Sequence, residues 1–167
     1  MTFFIKSKYV GNKKEVYIPP QIQNLPVTSI GNQAFNECVS LTSVEFMGKI
    51  FFGNWAFSAC SSLTAINVAA GAGNTAYSSS GGILYNKDKT ALVAYPGGKH
   101  GAFTIPNHVN TIRAGAFGYC TNLLSVAKYG RSNDESFKTF PLCIFSEICY
   151  FINKRATLYI DGKIFHS

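Results

Sequence analysis

The sequence predicts a repeat solenoid: right-handed coils of short parallel β-strands joined by short helical or 3-10 turns, with a hairpin-containing insertion and capping ends. Three observations carry that expectation. One phrase occurs three times, as Ile30-Gly-Asn-Gln-Ala-Phe-Asn-Glu-Cys-Val-Ser-Leu41, Phe52-Gly-Asn-Trp-Ala-Phe-Ser-Ala-Cys-Ser-Ser-Leu63 and Ile112-Arg-Ala-Gly-Ala-Phe-Gly-Tyr-Cys-Thr-Asn-Leu123. Each copy runs into a stretch of alternating hydrophobicity, the mark of a strand with one buried face. The composition, 47% apolar and 14% charged, lets burial offset chain entropy in a chain of 167 residues.

The shared pattern is I/F-x-x-x-A-F-x-x-C-x-x-L. Its aromatics, Phe35, Phe57 and Phe117, stand 22 and 60 residues apart. The shorter step is one period of a leucine-rich repeat, whose range is roughly 20–29 residues. The longer step must hold an extra, degenerate coil. Residues 69–102 supply it: a Gly/Ala/Ser-rich lead-in, then Gly82 to Pro96, which reads as two short strands around an Asn86-Lys-Asp-Lys89 turn.

After each Leu the strands read Leu41-Thr-Ser-Val-Glu-Phe46, Leu63-Thr-Ala-Ile-Asn-Val68 and Leu123-Leu-Ser-Val-Ala-Lys128. Successive strand residues face opposite sides, so Leu41, Val44 and Phe46 point inward while Ser43 and Glu45 point outward. Lys128 breaks the third inward series, where packing should loosen. The segment between strands is too short for an independent α-helix but suits one helical or 3-10 turn. Ala34, Phe35, Cys38 and Leu41, then Ala56, Phe57, Cys60 and Leu63, then Ala116, Phe117, Cys120 and Leu123, form the expected structural ladder. A single coil cannot cover its own apolar face, so each rung is shared with its neighbours.

With these phrases in hand the chain resembles the BspA-like leucine-rich repeat family of bacterial cell-surface proteins. Val16-Tyr-Ile-Pro-Pro, Leu25-Pro-Val-Thr-Ser-Ile-Gly31, Gly82-Ile-Leu-Tyr-Asn-Lys-Asp-Lys-Thr, Ala94-Tyr-Pro-Gly-Gly-Lys99 and Phe103-Thr-Ile-Pro106 are similar to recurring family phrases, over about residues 9–127. The expectation is therefore one leucine-rich repeat domain over 1–167. It divides into an N-terminal cap hairpin (1–18), repeats (19–68), a modified coil with its hairpin (69–102), a further repeat (103–127) and an irregular C-terminal cap (128–167). Within that cap, Ala156-Thr-Leu-Tyr-Ile-Asp-Gly162 is similar to the family's closing strand. The resemblance implies a cell-surface or secreted location and adhesion to host or bacterial proteins. No signal peptide or membrane span can be read from Met1 to Ile5, which Lys6 interrupts, so membrane insertion is not expected.

Residues able to do chemistry are scattered. The formal charge of +7 is spread from Lys6 to Lys163 without a long basic run, which argues against a specific nucleic-acid partner. Cys38, Cys60 and Cys120 share one slot of the repeat and are spaced along the stack, so they read as reduced packing residues and not as converging metal ligands. Cys143 and Cys149 lie close enough in sequence to be bridged. His100, His108 and His166 lack a neighbouring nucleophile, and Asp134 and Glu135 read as a solvated loop. No phosphate-binding, dinucleotide or zinc-protease motif is present. Neither catalysis nor a cofactor is expected.

The expected function is non-enzymatic binding or adhesion, with a solenoid face presented to a protein, extracellular-matrix or other cell-surface macromolecule. Candidate binding residues are the outward strand positions Ser43, Glu45, Ala65, Asn67, Ser125 and Ala127, a flat floor of small and mostly polar side chains, together with Trp55. Trp55 stands in a slot held by Gln33 and Gly115 elsewhere, so the ladder does not require it, and it reads as outward or as folded over the coil edge beside Phe51 or Phe52. Two other readings stay open: a structural spacer or assembly segment of a larger surface protein, and a cysteine-dependent hydrolase. Exposed edges leave self-association possible.

Overall fold

The computed structural model describes residues 3–5, 8–69, 76–128, 157–160 and 163–166. The strands are β1 Phe3–Ile5, β2 Glu15–Ile18, β3 Gln21–Ile22, β4 Leu25–Ile30, β5 Ser43–Phe46, β6 Phe51–Phe52, β7 Ala65–Val68, β8 Tyr77–Ser80, β9 Ile83–Asn86, β10 Ala91–Ala94, β11 Gly101–Thr104, β12 Thr111–Ile112, β13 Leu123–Lys128, β14 Thr157–Ile160 and β15 Lys163–His166. They wind into a β-solenoid of about four turns, with no helix among the described residues.

Each coil contributes a strand to each of two walls. On the first wall β2, β5 and β7 pair in parallel, residue against residue: Glu15, Ser43 and Ala65 form one row, and Tyr17, Glu45 and Asn67 another. Further along, β11, β13 and β14 continue in parallel, and β15 closes that sheet by pairing antiparallel with β14. On the second wall β1, β4 and β6 pair in parallel, as do β10 and β12. The alternation read from sequence holds, since Leu41, Val44 and Phe46 are buried and Glu45 is exposed.

The segments joining the walls are not helical. Bonds run from Ala34 N to Gly31 O, Asn36 N to Gln33 O and Cys38 N to Phe35 O, giving three overlapping turns. Gln33 and Glu37 sit at φ 56° and 61°, in the left-handed region. Trp55 and Ala59, at 60° and 57°, and Gly115 and Tyr119, at 72° and 56°, repeat the pattern. A left-handed residue at the third position of a turn reverses the winding, so the helical or 3-10 turn expected from length cannot propagate. The conformation instead aims backbone groups at the next coil. Gln33 N donates to Asn54 O, Phe35 N to Ala56 O and Glu37 N to Ser58 O, so the turns stack through their own ladder.

That ladder identifies the missing members of the aromatic column. Tyr9 N donates to Ala34 O and Tyr95 N to Ala116 O, which is the bond Phe35 N makes to Ala56 O. Tyr9 and Tyr95 therefore take the Phe position in their coils. The rings follow: Tyr9 and Phe35 lie 5.4 Å apart, Phe35 and Phe57 5.4 Å, and Tyr95 and Phe117 5.2 Å. Such pairs contribute ~0.5–1.5 kcal/mol each beyond the area they bury.

The repeated cysteine has a bonding role as well as a packing one. Cys60 Sγ lies 2.9 Å from Phe35 O, Cys120 Sγ 3.5 Å from Tyr95 O and Cys38 Sγ 3.9 Å from Tyr9 O. In every case the thiol reaches back to the aromatic carbonyl of the preceding coil. In the coil of Tyr95 the cysteine slot holds Gly98, because that coil lies close against its neighbour: Gly98 N donates to Leu63 O at 2.7 Å, and a Cβ there would fall 2.5 Å from Ser62 C. Cys38, Cys60 and Cys120 are free thiols. Cys143 and Cys149 lie outside the described residues.

The 69–102 coil contains its hairpin. Strands β9 and β10 are antiparallel across the Asn86-to-Lys89 turn, where Asn86 Oδ1 accepts from Ala91 N at 2.8 Å. A second hairpin, β8 to β9, occupies part of the stretch read from sequence only as a lead-in. The N-terminal hairpin expected within 1–18 does not form: β1 and β2 pair in parallel with β4 and β5 respectively, as incoming parts of a coil. Gly11-Asn12 lies in the irregular segment 8–13 that leads into β2.

Burial holds the Cys60 and Cys120 thiols up at about 12, from an ordinary 9. In the unfolded chain they ionise near 9 and in the folded chain near 12, so above pH 9 the unfolded state loses protons first and stability falls as pH rises. The melting temperature should therefore drop between pH 9 and 12, with a shallower slope in Cys60→Ala and Cys120→Ala. Differential scanning calorimetry across that window checks it; a slope unchanged by both substitutions would mean the thiols are not buried in this way.

Candidate functional site

The first wall presents a regular outward face that takes no part in the ladder. Ser43, Ala65 and Asn67 are half-buried and Glu45 is exposed, each pointing away from the core by the strand alternation. Tyr17 completes their row beside Glu45 and is 52% exposed. Sequence comparison among the three phrases missed it, because Tyr17 precedes the first phrase; the alternation in Val16-Tyr-Ile18 was the available signal.

The six outward strand candidates lie in two different sheets and not on one. Ser43, Glu45, Ala65 and Asn67 lie in the β2-β5-β7 sheet, whereas Ser125 and Ala127 lie on β13 in the β11-β13-β14-β15 sheet. Between the sheets stands the β8–β9 hairpin. Its turn meets the far edge of β7, where Ile66 N donates to Gly82 O and Val68 N to Ser79 Oγ. The inserted residues thus interrupt the first wall and divide the face into two patches.

Trp55 is not fully outward, and Phe52 borders the same small pocket as its indole. Trp55 is half-buried, and its indole covers Gly115 and Gly118: a Cβ on Gly115 would fall 2.8 Å from Trp55 Cδ2, and one on Gly118 2.9 Å from Cε3. The coil of Tyr95 passes directly from β10 into Tyr95-Pro-Gly-Gly and carries no counterpart of the residues around Trp55. This leaves a notch between the turns on either side, and the indole fills it. A small pocket of about 20 Å³ lies beside it, bordered by Ser58, whose hydroxyl is buried without a hydrogen-bond partner among the described residues. The space suffices for a single water. The left-handed backbone at Trp55 costs a non-glycine residue roughly 1–2 kcal/mol, so packing retains this side chain against a local penalty.

Charge on the described surface is sparse. Lys8 Nζ and Glu37 Oε2 pair at 2.9 Å, and the Lys8 ammonium with its hydrogen bond holds the Glu37 carboxyl below its usual range. Both groups are solvated, which makes the pair a weak contributor. His108 is exposed on a turn, and His100 is exposed just before β11. Among the described residues no three of His, Cys, Asp and Glu come together to hold a metal. Asp134, Glu135 and the His166 side chain lie outside the described residues.

Two stacked walls, a ladder of aromatics and thiols, and an outward face free of ladder duties define a repeat protein of the leucine-rich class. The model for the BspA type leucine rich repeat region matches residues 11–80 and 95–166 in six copies, and the chain belongs to this family. The match runs past residue 127, taking in the tail that lacks the A-F-x-x-C phrase. No curated protein matches the chain.

Among solved structures, the chain is similar to a leucine-rich repeat protein of T. pallidum: 24% identity, 72% of this chain and 61% of that one, TM-score 0.41. The pneumococcal vaccine antigen PcpA is 20% identical over 69% of this chain and 33% of its own, with TM-score 0.49. A leucine-rich cell surface protein of Faecalibacterium prausnitzii is 27% identical over 69% and 35%, with TM-score 0.47. The chain therefore spans between one third and three fifths of these structures' lengths. No helix among the described residues is long and apolar enough to cross a membrane.

The notch has a built-in reporter, since Trp55 is the only tryptophan of the chain. Gly118→Val should displace the indole, red-shift its emission and lower stability by about 1–3 kcal/mol. Trp55→Ala should destabilise by a similar ~1–3 kcal/mol, because a half-buried aromatic is lost. Urea titrations with fluorescence and circular dichroism check both; unchanged emission in Gly118→Val would remove the indole from the notch.

Proposed function

We propose that the chain is a non-enzymatic protein-binding module of a cell-surface protein, and that its recognition surface is the outward face of the β2-β5-β7 sheet. The observation that carries the reading is the in-register row Tyr17, Glu45 and Asn67, bordered by Glu15, Ser43 and Ala65. The row joins an aromatic, a carboxylate and an amide on one rigid sheet, and none of the three belongs to the buried ladder. A repeat solenoid allows such outward residues to vary while the inward ones are held by packing. Tyr supplies large contact area at small entropic cost, and the polar neighbours set register with a partner.

PcpA is a vaccine antigen and the F. prausnitzii protein a cell surface protein, and these relatives support a surface location. Adhesion to extracellular-matrix or bacterial surface proteins is the form of binding this reading favours. Ser125 and Ala127, on the separate β13 patch, would serve as a second and smaller contact. Trp55 contributes to stability in this reading and not to the partner contact.

The immobilised chain should retain a protein from extracellular-matrix or bacterial surface fractions, and Tyr17→Ala with Glu45→Lys should weaken retention about tenfold or more. Ser125→Lys should have a smaller effect, and melting temperatures of all variants should stay near that of the parent. Retention unaffected by the Tyr17 and Glu45 changes would remove this face from the function.

A further inference from the structure

The outward row of the β2-β5-β7 sheet has a chemistry that specifies what it can receive. Tyr17, Glu45 and Asn67 are paired position for position in neighbouring parallel strands. Such strands lie about 4.8 Å apart, so the three side chains stand next to one another on one face. The Tyr17 ring is 52% exposed, Glu45 is exposed and Asn67 is half-buried. Among the described residues no ion pair engages Glu45, and no side-chain hydrogen bond or ring contact engages any of the three. Glu15 lies on the same face, diagonal to Glu45, because its own neighbour in the register is Ser43.

The charge of this face is opposite to that of the chain. Against a formal net charge of +7, its outward strand positions carry Glu15 and Glu45 and no cation. The cations nearest in sequence are Lys13 and Lys14, exposed just before β2 at its Glu15 end, and Lys49, whose ammonium lies 5.7 Å from the centre of the Phe51 ring on the second wall. Glu15 is therefore offset by the lysines that precede it. The row of Glu45 stands opposite Tyr17, three and four residues on from those lysines, or about 10–13 Å of extended chain. That exceeds the roughly 8 Å over which exposed charges act at physiological salt. Glu37 pairs with Lys8, and Asp88 stands between Lys87 and Lys89. Glu45 is thus the carboxylate that has no cation beside it among the described residues.

Three sources of positive charge could meet it, and the row discriminates among them. A second copy docked through the same face would set Glu45 against Glu45. An inorganic cation needs several converging donors, and no three of His, Cys, Asp and Glu come together among the described residues. A guanidinium satisfies all three members of the row: its plane stacks on an aromatic ring, its charge pairs with a carboxylate, and its fork of N–H groups has a donor left for an amide oxygen. An ammonium pairs with the carboxylate but has neither the plane nor the fork.

We infer that the row receives an arginine side chain of the partner protein, with the guanidinium stacked on the Tyr17 ring, paired with the Glu45 carboxylate and donating to the side-chain oxygen of Asn67. This rests on the reading of the β2-β5-β7 face as the recognition surface and adds the chemistry of what is recognised there.

The probe is a short peptide with one arginine among Ser and Gly, titrated into the 15N-labelled full chain and followed by amide chemical shifts. Saturable shifts centred on residues 17, 45 and 67 are expected. The same peptide with citrulline, which keeps the shape and loses the charge, should give none, and the lysine peptide should bind more weakly. Non-specific charge cannot imitate the result, because the chain as a whole repels a basic peptide. Glu45→Gln and Tyr17→Leu should each weaken binding about threefold, the scale of an exposed ion pair or cation–π contact. Glu15→Gln should have a smaller effect, and circular dichroism should be unchanged in all three variants. Shifts centred elsewhere, equal binding of the citrulline or lysine peptide, or indifference to Glu45→Gln would each overturn the inference. If the arginine peptide leaves this face unperturbed while Tyr17→Ala with Glu45→Lys still lowers retention of the captured protein, the arginine contact falls and the recognition face stands; if retention is also unaffected, both fall.

Discussion

The whole structure depends on contact between successive coils, because no coil has an interior of its own. Each turn offers an aromatic ring and a backbone carbonyl that only its neighbour can cover. The next coil answers with another ring about 5 Å away, an amide bonded across the stack and a cysteine thiol directed at the aromatic carbonyl. Burial, hydrogen bonding and register are thus satisfied at one place. A one-residue slip would take the thiol from its carbonyl and the ring from its partner together, so the repeat resists slippage in a way that alternation alone would not.

The modified coil shows what happens when part of this set is given up. Tyr95 keeps the ring and the amide bond, but Gly98 replaces the cysteine, and the neighbouring backbone takes the space the side chain would need. The buried residues accordingly group into two clusters. One includes Phe35, Phe57 and Tyr77; the other includes Tyr95, Phe117 and Val126. Trp55 spans the notch this coil leaves, and Asn122 Nδ2 reaches both Ser61 O and Gly97 O at 3.1 Å. Both act where the regular rung is weakest.

The regular rungs were legible in the sequence because a repeated environment produces repeated residues. Phe35, Phe57 and Phe117 announced the coil, and the alternation from Leu41 to Phe46 assigned inside and outside correctly. What escaped depended on backbone conformation or on distant parts of the chain. Left-handed φ at Gln33, Trp55 and Tyr119 leaves little compositional trace when the residues are not glycine. Tyr9 and Tyr95 were hidden by the lack of the phrase around them. The place of Trp55 could not be read locally, since it follows from two glycines some sixty residues away and from the brevity of an intervening coil. The outward strand residues were found, but their division into two patches follows from where the β8–β9 hairpin lands.

The dependence of the fold on neighbour contacts is tested most directly by double-mutant cycles on the aromatic column. Phe35→Leu and Phe57→Leu should couple by about 1 kcal/mol, because their rings stack, while Phe35→Leu and Phe117→Leu, in different clusters, should be additive within ~0.5 kcal/mol. Equilibrium urea unfolding of the single and double variants gives both numbers. Additivity between Phe35 and Phe57, or equal coupling of both pairs, would contradict a fold held together coil by coil.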